Sequence, residues 1–125
     1  MKLILKAKQK VSLGRAILTD HAKEKDGLYQ YKKYIREAGL KADQGLLMAV
    51  DVLLDNKERK GEVWYENELY KIDKRLRADF VTAHQILGKS MGLDKTQSAK
   101  IAKLGMETAE KIIGWVENRL TNQTR

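Results

Sequence analysis

Between residues 64 and 91 apolar side chains recur at steps of three or four: Leu69, Ile72, Leu76, Phe80, Ala83, Leu87 and Met91. That period puts them on one face of an α-helix and predicts a single long amphipathic helix. The same period marks residues 2–22, where Ile4, Ala7, Val11, Gly14, Leu18 and Ala22 share a side and Lys6, Lys8, Lys10 and Arg15 lie off it. Residues 23–27 (KEKDG) break the pattern, and Gly27 supplies a turn. A second helix is predicted over residues 29–54, with a stripe of Tyr31, Ile35, Ala38, Ala42, Leu46, Ala49 and Leu53. Residues 55–62 (DNKERKGE) form the longest polar connection and read as an exposed loop. The central helix is expected to end near residues 88–92 with Gly92 in the left-handed cap position. Asp94-Lys95-Thr96-Gln97 then matches a capping box for a fourth helix that buries Ile101, Leu104, Gly105, Thr108, Ile112 and Trp115. That helix reaches about Leu120, and residues 121–125 are expected to fray. No alternating strand pattern is visible.

Four amphipathic helices with short connections predict an all-α fold, an up-down-up-down four-helix bundle forming one domain over residues 1–120. Its core should bring Leu76, Phe80 and Leu87 against Leu46, Ile101 and Ile112. Gly39 and Gly45 each cost about 1 kcal/mol relative to alanine inside a helix, so something is expected to come close to them. A neighbouring helix backbone is the first expectation and a ligand groove the second. Tyr29, Tyr31 and Tyr34 should wedge one end of the core. Trp64, Tyr65 and Tyr70 cannot all face inward from one helix, which predicts an aromatic patch suited to dimer contact.

Composition narrows the functional classes. The chain of 125 residues is 42% apolar and 34% charged, in the range of a folded domain. It has no cysteine, which removes disulfides and thiolate zinc sites and makes the cytoplasm the expected compartment. It has no proline, so long helices run without a proline kink. Neither a signal peptide nor a membrane span is expected, because the apolar run Leu3-Ile4-Leu5 is short and followed by lysine. The net charge of +8 is spread along every segment with acids interspersed, which fits a solvated surface and leaves an anionic partner open. No cofactor or metal is expected. Neither His21 nor His84 has a glutamate three residues before it, as a bundle-core di-iron site needs, and no HExxH or phosphate-loop motif occurs. Ser12, Ser90 and Ser98 stand in no nucleophile context.

One pairing suggests chemistry. Arg77 and His84 are seven residues apart, so on one helix they point within roughly 20° of each other and lie about 10 Å apart along the axis. Both flank the apolar stripe, where they could border a groove or a dimer seam. There His84 would act as general acid or base and Arg77 would stabilise a developing phosphate charge. The alternative is structural: Arg77 pairs with Asp73 one turn earlier, and His84 closes the core edge beside Phe80. His21 lies near the end of the first helix, where an imidazolium suits the helix dipole.

The stretches DGLYQYKKYIREAGLKADQGLLMAVDVLL, WYENELYKIDKRLRADF, LGKSMGLD and METAEKIIGWVE resemble a family of small uncharacterised helical proteins from Bacteroidota. More distantly the chain is similar to HEPN domains, helical partners of minimal nucleotidyltransferases, some of which are metal-independent RNases. That resemblance implies an RNase site built on an arginine, four to six residues and a histidine, which Arg77 to His84 satisfies with six. Ala78 stands where a polar residue is common in the HEPN pattern. Three functions follow as expectations. The leading one is a non-catalytic HEPN-like adaptor, with a second copy of the chain or a nucleotidyltransferase-like protein as partner. The others are an RNase using Arg77 and His84 from two copies, and a nucleic-acid-binding bundle acting through charge.

Overall fold

The computed structural model describes residues 2–123. Helix α1 spans Lys2–Ile17 and passes directly into π-helical turns over Leu18–Ala22. Two short strands follow, β1 (Glu24–Lys25) and β2 (Leu28–Tyr29), and then α2 (Lys32–Leu53), α3 (Glu62–Ile72) and α4 (Lys74–His84). A second π-helical stretch, Gln85–Met91, continues α4, and α5 covers Ala99–Gln123. The described residues are therefore mainly helical, with one small antiparallel sheet.

Helix α1 lies against α2, and α5 packs on α1, α2 and α4. The α1–α2 seam is antiparallel and set by glycine. A Cβ on Gly45 would stand 2.6 Å from the Ala7 carbonyl; where α2 meets the second π-helical stretch, one on Gly39 would stand 2.5 Å from the Leu87 carbonyl. No side chain larger than hydrogen fits either place, so the close approach comes from neighbouring backbone. Between α1 and α5 two ion pairs run in opposite order along the chain, Lys8 with Glu117 and Arg15 with Glu110. The inner stripe of α1 is buried throughout, as are Ile35, Ala38, Ala42, Leu46 and Ala49 on α2. Tyr31 lies outside, half exposed.

Five local expectations are corrected. The long central helix is broken at Asp73, whose backbone is extended (φ −164°, ψ 124°) and whose carboxylate accepts from the Leu76 amide at 2.9 Å. An aspartate that can satisfy a free amide at a helix start favours a cap over a helix interior. The segment after α1 is a hairpin rather than a plain turn. Asp26 (φ 53°) and Gly27 (φ 79°) occupy the left-handed region at its tip, the conformation an Asp-Gly turn selects between short strands. The hairpin docks beside the start of α5, where Tyr29 and Gln97 exchange hydrogen bonds and the Ala99 amide reaches the Gly27 carbonyl.

The capping box at Asp94 does not form. Ser98 opens α5 instead, its hydroxyl accepting from the Ile101 amide at 3.2 Å, while Gln97 is held by Tyr29. Gly92 is right-handed (φ −69°), and its carbonyl accepts from Arg36 at 2.6 Å. Finally, α5 is partly rotated relative to the expected face, of which Gly105, Thr108 and Ile112 stay buried. Ile101 (41%) and Leu104 (49%) are exposed, and Ala102, Met106, Ala109, Ile113 and Val116 point inward beside Ile112. Gly105 explains the rotation: Ile86 lies so close that a Cβ there would meet its methyl at 2.5 Å. Small residues thus define the contact face, where side-chain size alone had favoured the flank. Helix α5 continues through residues 121–123, and residues 124–125 of the expected frayed tail lie outside the described residues. Among the described residues no helix is long and apolar enough to cross a membrane.

Candidate functional site

His84 is the last residue of α4, at the point where the chain passes into π-helical turns. The stripe residue Phe80, fully buried one turn earlier, holds its ring by stacking (centroids 5.4 Å apart, planes at 12°). From α2, Asp43 approaches so that its Oδ1 lies 2.8 Å from His84 Nδ1. A carboxylate oxygen accepts, so Nδ1 carries the hydrogen and Nε2 is the remaining ring nitrogen. The two side chains are 22% and 13% exposed, so the pair sits at the core edge, screened from bulk water. The Asp43 bond holds the imidazolium above its ordinary range, against the opposing effect of burial. The fields of Asp43, Glu62 and Glu66 act in the same direction.

Arg77 faces elsewhere. Its Nη2 donates to Glu66 Oε1 at 3.1 Å, bridging α4 back to α3. The expected pairing with Asp73 does not form, because that carboxylate caps α4. Glu66 pairs with Arg77 and adds negative field at His84. Each candidate residue has its own carboxylate. Chemically the assembly is an oriented imidazole in an acidic setting.

Sequence reasoning missed all three acids. Asp43 is 41 positions from His84, and no periodicity connects them. Glu62 and Glu66 are one helical turn apart, so the available signal was a pair of acids at the start of an amphipathic segment.

The aromatic patch expected around Trp64, Tyr65 and Tyr70 is split up. Tyr65 is 1% exposed and points into the core, where its hydroxyl donates to Asp51 Oδ1 at 2.7 Å and accepts from the Lys60 amide. Burial, reinforced by that bond, holds the phenol's proton above its usual range. Asp51 also binds Asn56 and pairs with Arg59, so one part-buried carboxylate ties down the polar connection before α3. Trp64 is half-buried against Tyr65, whereas Tyr70 stands exposed beside Lys74. His21 stacks on Tyr34. Among the described residues no group of three metal-ligating side chains is assembled.

Comparison with known proteins agrees with this geometry at the level of the fold. The chain is similar to a protein of unknown function from Dyadobacter fermentans, at 35% identity and a TM-score of 0.89. The match covers 95% of this chain and 96% of that one. No curated protein matches. The family model for a domain of unknown function, DUF5618, matches residues 2–118, and the chain therefore belongs to the DUF5618 family.

Proposed function

We propose that the chain is a non-catalytic helical adaptor that acts by binding a partner protein. The observation that carries this reading is the acidic setting of His84. Asp43 bonds the imidazole, Glu62 and Glu66 add negative field there, and Arg77 is itself paired with Glu66. Phosphodiester cleavage needs positive potential where the phosphate sits. Here the local field repels it.

On this reading residues 1–120 are one domain, a HEPN-like four-helix bundle whose third limb is α3 and α4 in series. Its cysteine-free composition suits the cytoplasm. Part of the basic charge is engaged in pairs such as Lys8–Glu117, Arg15–Glu110 and Lys103–Glu24, and the rest is spread along every segment, which argues for a solvated surface over a continuous nucleic-acid track.

A second reading has one observation in its favour. The Asp43 bond orients the His84 ring and leaves Nε2 as the nitrogen for proton transfer, the arrangement of a general base held by a carboxylate. The experiment that separates the two is incubation of mixed-sequence RNA with purified protein in EDTA. No cleavage above buffer is expected. EDTA-resistant cleavage that disappears in both His84→Ala and Arg77→Ala variants would replace the adaptor with an RNase.

A further inference from the structure

A groove of about 480 Å³ lies along the second half of α5 and is lined by Trp115, Asn118, Arg119 and Asn122. Trp115 is half-buried, and its other side belongs to the seam with α4, next to Asp73 and Asp79. The Arg119 guanidinium lies over the indole, 5.4 Å from the ring centroid. Around it the cations are engaged: Lys111 and Arg75 both reach Asp79. Arg119 differs from them, having no carboxylate partner among the described residues. The carboxamides of Asn118 and Asn122, one turn apart, are likewise without a hydrogen-bond partner there.

We infer that this groove is a docking site for an acidic segment of a partner protein, with a carboxylate on Arg119 and peptide backbone on the two asparagines. A guanidinium resting over an indole is partly ordered for bidentate pairing with a carboxylate, so less freedom is lost when that pair forms. Asparagine presents a donor and an acceptor together, which matches the N–H and C=O of an extended peptide. Tryptophan and arginine are also the side chains most enriched at interface centres. The net charge of +8 adds long-range attraction for an acidic partner.

A single-stranded nucleic acid fits less well, because Arg119 stands over the indole face that a base would stack on. An isolated carboxylate needs neither the free ring face nor a run of unpaired cations.

The inference rests on the partner-binding reading, and one titration tests it separately. In a Trp64→Phe background Trp115 is the one remaining indole and reports on the groove. The probes are an acetylated, amidated peptide with one glutamate between leucines, its glutamine twin, and an oligothymidylate. The glutamate peptide is expected to change Trp115 fluorescence and to bind about tenfold or more tightly than its twin. Arg119→Ala should erase that difference while its circular dichroism stays unchanged. Equal binding of the two peptides, a preference that survives Arg119→Ala, or saturable quenching by the oligothymidylate alone would overturn the inference. RNA cleavage by protein that still selects the glutamate peptide would remove the adaptor reading and keep the groove. Absence of both activities would remove the groove alone.

Discussion

At the scale of single residues, the Asp43–His84 pair makes the strongest statement. The His84 pKa is raised above its ordinary 6.5, first by the Asp43 bond, so the folded state holds this proton more tightly than the unfolded chain does. The sign of the pH effect follows. The pair's stabilisation is fully present below about pH 6.5 and is lost as pH rises through the folded-state value. Thermal melts of wild-type and His84→Gln protein between about pH 5 and 9 should therefore differ most at the acid end and converge toward the alkaline end. A difference independent of pH would mean that the ring contributes by stacking on Phe80 alone. This pairing was beyond sequence reading for a physical reason. Helical periodicity reports which face is buried, and it carries no information about which distant helix supplies the partner atom. What was legible at His84 was its place at the core edge beside Phe80, which the stacking geometry matches.

At the scale of elements, two stretches with equally regular patterns behave differently. The stripe from Ile4 to Ala22 is buried position by position, through α1 and the π-helical turns that continue it. The segment from Leu69 to Met91 keeps its inner face too, yet Asp73 interrupts the backbone between two turns of that face. Periodicity survives such a break when the cap leaves the next apolar residue, Leu76, pointing inward. Asp73→Ala should remove the side-chain acceptor of the Leu76 amide and cost about 0.5–2 kcal/mol, readable by urea denaturation with an unchanged slope. A variant of wild-type stability would show that α3 and α4 are held in place by packing, with no contribution from the cap. On α5 the pattern misled for the opposite reason. Ile101 and Leu104 are large and apolar, but the tight contact of Gly105 with Ile86 turns the alanine face inward. Two-residue strands, such as those of the hairpin, are too short for any period to register, and only the Asp26-Gly27 tip carried a signal.

At the scale of the whole molecule, the helices present two contrasting surfaces. Around His84 the part-buried chemistry is acidic, with Asp43 bonded to the ring and Glu62 and Glu66 adding negative field. Along the second half of α5 it is an unpaired guanidinium on an indole. A protein of net charge +8 that surrounds its one oriented histidine with acids directs polyanions away from that histidine. The adaptor account therefore makes a claim about where RNA does not go. Titration of the isotope-labelled protein with a short oligoribonucleotide, followed through the His84 ring and Arg77 side-chain resonances, tests it directly. The expected result is that neither signal moves as RNA is added at low salt, whatever weak surface binding occurs elsewhere. Saturable, concerted shifts of both His84 and Arg77 would place a phosphate between them and contradict the account.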